Sequence, residues 1–243
     1  MTYCIGMQLD RGLVFMSDTR TNAGVDNFST AKKMFHWQVP GERMITIMTA
    51  GNLATTQAMI SLLRERSVTK KDRDPSILHE TTMFQVARLV GATLKEVIAE
   101  SSVNGQQSAE QFSASAIVGG QIKGGEPTIF LVYPEGNFIE ITPDTPFFQI
   151  GETKYGKPIL VRAYDPQMAY DDAVKLLLVS FDSTVKSNLS VGLPFDLQIY
   201  EKDSFEAGRI LRIDEEDSVY QAISSGWGDA LKEAFQHLPS YKV

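Results

Sequence analysis

The stretch MTYCIGMQLDRGLVFMSDTR, residues 1–20, predicts two antiparallel strands joined by a tight turn. Asp10 and Gly12 have the chemistry of a hairpin turn, and residues 13–18 are apolar enough for a strand in the interior of a sheet. The apolar side chains expected to share one face of the first strand are Tyr3, Ile5, Met7 and Leu9. The chain is therefore expected to enter a sheet almost at its first residue.

Composition restricts the class of protein. The chain has 243 residues, of which 43% are hydrophobic and 22% charged, as in a globular chain with a substantial core, and we expect one domain over residues 1–243. A net charge of −7 without a dense basic stripe argues against a nucleic-acid partner. The single cysteine, Cys4, cannot form an internal disulfide, which fits a cytoplasmic location. We expect no signal peptide and no membrane partner, because no leader pattern and no long apolar run occurs.

After the hairpin, the periodicity alternates between strands and helices. Segments 21–29 and 143–158 read as loops. The predicted further strands are 31–39, 44–51, 112–122, 127–133, 138–142, 194–203 and 209–213. The predicted helices are 52–66, about 75–101, a third helical region after the loop whose strongest part is 169–188, and 214–238. This order predicts an α+β domain in which two antiparallel sheets lie face to face and are covered by helices.

Thr2 is a candidate nucleophile. Methionine aminopeptidase removes an initiator Met that precedes a small residue, so loss of Met1 would leave Thr2 with a hydroxyl and a free α-amine. The amine has an ordinary pKa near 8, and it can act as the general base for its own hydroxyl. Many chains begin Met-Thr without any such consequence.

Three charged residues follow at positions that suit this chemistry. Asp18 and Arg20 end the second strand, and the hairpin turn would bring them back to Thr2. Lys33 precedes another apolar strand, and its ammonium near Thr2 would lower the pKa of the hydroxyl and of the amine. Asp18 would hold Lys33 charged and oriented. The alternative is an ordinary ion pair at the ends of strands.

These residues stand in a pattern that resembles the proteasome β subunit. The pattern has an N-terminal Thr, then Asp and Arg after the second strand, a Lys before an apolar residue, and Ala-Gly before the first helix. The chain is similar, more narrowly, to the bacterial ancestral β-subunit family known as Anbu, and the resemblance covers essentially its whole length. The stretches that carry the resemblance are TYCIG at 2–6, SDTRTNAGVD at 17–26, KKMF at 32–35, TAGNLATTQ at 49–57 and SNLSVGLP at 187–194.

The resemblance implies an N-terminal-nucleophile hydrolase fold, a four-layer αββα sandwich. It implies that Thr2 is the nucleophile, that Lys33 activates it and that Asp18 orients Lys33. Gly51 would donate its backbone N–H to the oxyanion, and Arg20 would be structural support. A Gly between an apolar strand and a helix also suits a plain strand-to-helix turn.

Two stretches depart from the family pattern. Glu152, in QIGETKYG, stands where the family has a Ser that touches the terminal amine. Near the end of the third long helix the family has Asp-x-x-Ser-Gly, whereas SNLSVG offers Asn188, with Ser190 one place early. A carboxylate beside the amine would raise the pKa of the amine and weaken it as a base. Glu152 could also point into solvent.

The remaining chemistry-bearing residues suggest no second site. His36, His79 and His237 lack metal-ligand spacing, and Cys4 has no His partner, so we expect no metal and no cofactor. The acidic run at 214–218 is expected to cap the last helix rather than to bind a cation.

The resulting expectation is a threonine-type peptidase that needs only the loss of Met1 for activation. Its partners would be a peptide or protein substrate and further copies of the chain, in a ring or a helix around an enclosed space. Two alternatives stay open: an amidase or transpeptidase-like enzyme for a specialised peptide, and a weakly active assembly scaffold.

Overall fold

In the described residues, the architecture consists of two five-stranded antiparallel sheets, one short two-stranded sheet and five α-helices. The computed structural model describes residues 2–22, 28–68, 75–103 and 109–241. In the first sheet the order is β10-β1-β2-β11-β12, with strands Phe147–Gly151, Tyr3–Leu9, Gly12–Asp18, Phe195–Glu201 and Arg209–Ile213. In the second sheet the order is β5-β6-β7-β8-β9, with strands Met34–Val39, Arg43–Gly51, Ala114–Ile122, Thr128–Val132 and Phe138–Glu140.

The helices form the outer layers. They are α1 (Leu53–Val68), α2 (Met83–Val103), α3 (Lys157–Ala163), α4 (Tyr170–Ser187) and α5 (Ser218–Gln236). None of the helices in the described part of the chain combines the length and the apolar character needed to cross a membrane.

Alternation along the strands generates three apolar layers. In β1, Ile5 faces α4 and contributes to one core with Phe181, whereas Cys4 faces the other sheet. In β6, Ile47 packs toward α1 and α2 while Met48 packs between the sheets. A strand that buries both faces must be apolar on both, as β2 and β6 are. The fold is thus the predicted sandwich of two sheets between helical layers.

The first hairpin forms as expected. Leu9 pairs with Gly12 across the two-residue turn, and Cys4 pairs with Ser17 at the other end. The apolar face predicted for β1 is buried against the helices, and its members are Tyr3, Ile5, Met7 and Leu9. Because β2 also pairs with β11, the hairpin lies inside the sheet.

Two predicted loops contain strands. Within 21–29, short strands β3 (Arg20–Asn22) and β4 (Phe28–Thr30) pair at either end of residues 23–27, which lie outside the described part. Within 143–158, which was also predicted to be a loop, β10 pairs with β1 and buries Phe148. The same segment continues into α3, which starts at Lys157, within the last two residues of the predicted loop, and lies in the helical region expected after it.

The second long helix begins later than Pro75. Thr82 accepts a hydrogen bond on its hydroxyl from the N–H of Gln85 at 3.2 Å, which is the geometry of an N-cap, and α2 starts at Met83. Upstream, the Ser76 hydroxyl accepts from the N–H of Leu78, so a local turn competes with the helix there. The start predicted at Pro75 was therefore wrong by about two turns.

Candidate active site

Asp18 is the centre of a buried polar cluster at the end of β2. Its side chain is fully buried, and its Oδ1 accepts hydrogen bonds from Lys33 Nζ at 2.6 Å and from the N–H of Tyr3 at 2.9 Å. The N–H of Gly192 donates to Oδ2 at 3.4 Å. One carboxylate oxygen therefore holds both the ammonium of Lys33 and the peptide group that joins Thr2 to Tyr3.

Lys33 is held from several directions. It is 5% exposed, and its Nζ also donates to the carbonyl of Arg20 at 2.6 Å. Its own carbonyl accepts from the N–H of Thr49 at 3.0 Å, which attaches the residue to the end of β6. A buried ammonium with two oxygen acceptors has a defined position, as a residue that acts on a neighbouring hydroxyl requires.

The Asp18 carboxylate depends on this cation. Burial raises the pKa of Asp18 above its ordinary value of 3.8. The Lys33 ammonium and the N–H groups of Tyr3 and Gly192 act in the opposite direction and favour the ionised form. Loss of Lys33 would leave a buried carboxylate without its counter-ion.

Thr2 is held in place by the residues at the end of β10. It is 8% exposed, and its carbonyl accepts from the N–H of Glu152 at 2.6 Å. Gly151, which pairs with Tyr3, has φ +81°, and a Cβ there would lie 2.1 Å from the carbonyl oxygen of Thr2. Only glycine permits this close approach. Met1 lies outside the described residues, so the expected release of the Thr2 amine stays a prediction.

Gly51 ends β6 in a conformation that favours glycine. Its φ is +113°, and a Cβ would lie 2.5 Å from the carbonyl oxygen of Ser113. The next residue, Asn52, accepts on its side-chain oxygen from the N–H of Thr55 at 3.1 Å and caps α1. Gly51 therefore stands directly before a helix N-terminus, where backbone N–H groups favour negative charge.

Gly51 and Thr2 lie at the same end of the sandwich. Cys4 Sγ, which is buried between the sheets, donates to the carbonyl of Thr49 at 3.9 Å. Thr2 precedes Cys4 by two residues, and Gly51 follows Thr49 by two residues on the facing strand. The contact thus aligns the start of β1 with the end of β6, and Cys4 itself is a packing residue of the core between the sheets.

Glu152 and Asn188, the two residues that depart from the family pattern, are hydrogen-bonded to each other. Glu152 follows β10 and is 6% exposed, so it does not point into solvent. Its Oε1 accepts from the N–H groups of Thr153 and Lys154, both at 2.9 Å, and its Oε2 accepts from the side-chain amide of Asn188 at 2.9 Å. Asn188 caps the end of α4 and accepts from the N–H of Ser190 at 3.0 Å.

These contacts make the Glu152 carboxyl more acidic. Burial raises its pKa, but the N–H of Lys154, the amide of Asn188 and the N–H of Thr153 outweigh burial and lower the pKa below its ordinary 4.5. A carboxylate that is ionised at neutral pH therefore stands beside Thr2.

Asn188→Ala should destabilise the chain in a pH-dependent way. The pKa of the Glu152 carboxyl is lower in the folded chain than in the unfolded chain, so its ionisation stabilises the fold at pH values above the unfolded-state pKa. This stabilisation is lost as the pH falls through the folded-state pKa. Loss of one hydrogen bond to the carboxylate should cost about 1.5–3 kcal/mol near pH 7 and less near pH 3, measured by urea unfolding. The same substitution in a Glu152→Gln background should cost a pH-independent amount, and equal pH dependence in both backgrounds would contradict the assignment.

Sequence reasoning missed one contributor to the site, the backbone N–H of Gly192. Gly192 donates to Asp18, and a Cβ on it would lie 2.2 Å from the Arg20 guanidinium carbon. Arg20 contributes two hydrogen bonds: its carbonyl accepts from Lys33 Nζ, and its side chain donates to the carbonyl of Leu189 at 3.2 Å. Gly192 is the last residue of the SNLSVG stretch, which was already part of the family resemblance. Its role was missed because it acts through its backbone N–H, and a pattern of side-chain types does not indicate a backbone donor.

The described residues contain no group of three His, Cys, Asp or Glu side chains arranged to hold a metal ion. His36 is half-buried, and its Nδ1 lies 3.4 Å from the hydroxyl of Thr46. Burial lowers the pKa of His36 to about 4. It is therefore a neutral packing residue near pH 7.

Comparison with known proteins assigns the family. Residues 2–196 match the family model for the proteasome subunit. Anbu, the ancestral β subunit, from Yersinia bercovieri is 45% identical over 100% of both chains, with a TM-score of 0.92. A Gly-1 mutant of Anbu from a Hyphomicrobium species is 47% identical over 100% of both chains, also with a TM-score of 0.92.

A third solved structure, titled the helical assembly of the Anbu complex from Pseudomonas aeruginosa, is 44% identical over 99% of this chain and 98% of that chain, with a TM-score of 0.92. No curated protein sequence matches the chain. The matches span both sheets and all five helices, and the fold they share is the sandwich described above. The chain belongs to the proteasome family, and within that family it is an Anbu-type β subunit.

Proposed function

We propose that the chain is a threonine-type peptidase, an amide hydrolase whose nucleophile is the Thr2 hydroxyl after removal of Met1. The observation that supports this most is the buried ion pair of Lys33 and Asp18, whose carboxylate also binds the peptide group next to Thr2. A surface ion pair would be exposed, whereas here the side chains are 6% and 0% exposed. We also propose that residues 1–243 form a single catalytic domain.

The reaction would proceed through an ester. The Thr2 hydroxyl oxygen attacks the carbonyl carbon of the scissile amide, and the terminal amine takes the hydroxyl proton. The N–H of Gly51, at the start of α1, stabilises the oxyanion. The amine returns the proton to the leaving nitrogen, the C–N bond breaks and an acyl-enzyme ester remains. Water, deprotonated by the same amine, then releases the acid and restores Thr2.

Lys33 would favour the ionised Thr2 oxygen and the unprotonated amine, because a nearby positive charge lowers the pKa of both groups. Asp18 holds Lys33 in place, and Arg20 contributes its carbonyl. No step in this scheme calls for a cofactor.

The family relation supports a self-compartmentalising homo-oligomer. The Pseudomonas aeruginosa Anbu structure is titled a helical assembly. We propose that copies of this chain assemble in a helix or a ring, with the Thr2 sites facing an enclosed space that peptide or protein substrates enter. A cytoplasmic location is proposed from the single cysteine, which cannot form an internal disulfide.

The second candidate is an amidase or transpeptidase-like enzyme for a specialised peptide. The buried Glu152–Asn188 pair beside Thr2 favours it, because a fixed negative charge raises the pKa of the terminal amine and would also favour a cationic group on the substrate. The third candidate, an assembly scaffold, would need neither the free amine nor the hydroxyl.

Intact mass measurement separates these readings first. We expect the purified chain to be lighter by one methionine residue, because Thr2 is small enough for Met1 to be removed. A chain that keeps Met1 has no terminal amine on Thr2 and would favour the scaffold. For a chain without Met1, a screen of short fluorogenic peptides distinguishes broad peptidase activity from a restricted amidase.

A further inference from the structure

The apolar stripe of α5 continues beyond the part of the helix that packs on the domain. Tyr220 is buried in the core between the first sheet and the helices, and Ile223 packs against that core. The same stripe then reaches solvent at Leu231, Phe235 and Leu238, which are 50%, 75% and 64% exposed. These three residues, called the tip stripe below, follow the spacing of one face of a helix, and Leu238 lies two residues beyond the end of α5 at Gln236.

The opposite face of this segment is polar. Asp229 and Lys232 form an ion pair at 3.0 Å, and both side chains are more than three-quarters exposed. Glu233 and Gln236 are exposed as well. A helix that is polar on one side and apolar on the other, with the apolar side uncovered, is typical of a binding surface.

A groove beside the base of α5 offers a matching apolar surface. It has a volume of about 450 Å³ and lies between α4, β12 and α5. Most of its lining side chains are apolar, among them Leu178, Leu197 and Ile223. The charged residues in the lining are Asp171, Asp172, Lys175 and Arg209. Leu211 and Val219 stand at its rim, 51% and 63% exposed. β12 is the edge strand of its sheet, so no further strand of the described chain covers this side.

The tip stripe cannot enter the groove of its own chain. Val219 and Phe235 lie on the same helix, 16 residues apart. At a rise of about 1.5 Å per residue they are roughly 24 Å apart. Any contact between the tip stripe and this groove therefore joins two copies.

We propose that the tip stripe of one copy docks in the α4–β12–α5 groove of a second copy. This inference rests on the proposed homo-oligomer and names the surface that builds it. Such a contact between two different surfaces generates a ring when the rotation between successive copies closes, and an open helix when it does not. We expect the open form for this chain, because a solved Anbu structure from Pseudomonas aeruginosa is a helical assembly. Anionic membranes are a poorer partner, because Lys232 is balanced by Asp229 and Glu233.

A disulfide trap tests the contact directly. The single native cysteine, Cys4, is buried, so engineered cysteines react without interference from it. Oxidation of the Phe235→Cys, Val219→Cys double variant should give a ladder of covalent oligomers on a non-reducing gel, whereas neither single variant should give more than a trace. A dimer formed by Phe235→Cys alone would mean that two tips pair with each other and would overturn the proposal.

Sedimentation of charge variants tests it independently. Leu231→Glu with Phe235→Glu, and separately Leu211→Glu, should each raise the protein concentration needed for assembly by roughly tenfold or more. Val68→Glu, at an equally exposed apolar residue at the end of α1, is the matched control and should have no effect. Thermal unfolding of each variant separates lost docking from lost folding.

The outcomes separate this inference from the proposed function. Wild-type protein that stays monomeric would contradict the homo-oligomer itself. Wild-type protein that assembles while both charge variants assemble equally well would overturn the docking surface alone. Binding of the wild type to anionic phosphatidylserine vesicles, lost in the tip variant while assembly persists, would assign the tip stripe to a membrane and equally overturn the proposal.

Discussion

Thr2→Ala is expected to abolish covalent labelling by an epoxyketone and to reduce amide hydrolysis by at least about 10³-fold. The reagent forms one bond to a hydroxyl oxygen and one to an amine nitrogen of the same residue, so it reports both groups of an N-terminal Thr. The variant keeps the terminal amine and the strand but loses the attacking oxygen. Mass spectrometry of the labelled chain is the measurement.

Thr2→Ser is the matched control. It keeps the hydroxyl at the same position, and the backbone contacts of residue 2, such as the bond from the N–H of Glu152, do not depend on the side chain. Labelling should therefore persist in Thr2→Ser. Labelling that persists in Thr2→Ala would show that another residue is the nucleophile, provided that Met1 has been removed in both variants.

Lys33→Ala has the second largest expected effect, because it changes both activity and stability. The Thr2 oxygen loses its neighbouring charge, and hydrolysis should fall to the level of Thr2→Ala. The Asp18 carboxylate, which is fully buried, loses its counter-ion. Breaking a buried pair by removing one partner costs about 3–5 kcal/mol, which urea unfolding near pH 7 would measure.

A double variant separates the structural from the catalytic contribution. Asp18→Asn combined with Lys33→Met removes both charges, and replacing a buried pair by neutral groups is often close to neutral in stability. We expect the double variant to regain most of the free energy of unfolding but none of the activity. Regained activity would remove Lys33 from the mechanism, as would an unchanged rate in Lys33→Ala.

Lys202→Ala is the surface control for the stability measurement. Lys202 pairs with Glu126 at 2.5 Å, but the Glu126 side chain is 78% exposed. An exposed pair contributes little to stability, because solvent screens the two charges. A loss at Lys202 as large as that at Lys33 would mean that burial is not what distinguishes the two pairs.

Local patterns were sufficient where one segment decides its own structure. The two-residue turn between Leu9 and Gly12 depends on Asp and Gly chemistry, and the face of β1 depends on alternation. The layered α+β class follows from the order of strand and helix periods, and the resemblance carried by the family motifs narrows it to the four-layer proteasome fold. These features involve residues close in the chain, so a single sequence contains the information.

Local patterns failed where a segment takes its structure from a distant partner. The segment that contains β10 was predicted to be a loop, yet it forms a strand because β1 offers its edge, with Gly151 opposite Tyr3. The late start of α2 follows from a cap at Thr82 and a turn at Ser76 that outweigh the first-turn preference of Pro75. In these cases tertiary contact or side-chain capping decided between conformations of similar local cost.

The sequence by itself determined the hairpin, the layered α+β class and the residue types available at its first strand: a threonine, an acid and a lysine. Only the tertiary structure decided that Lys33 and Tyr3 share one oxygen of Asp18 and that Glu152 meets Asn188 across 36 positions of the chain. It also decided that the apolar stripe of α5 extends beyond the part of the helix that packs on the domain. The physical reason is that periodicity reports which face of a segment is apolar, whereas the partner of that face depends on how distant segments pack.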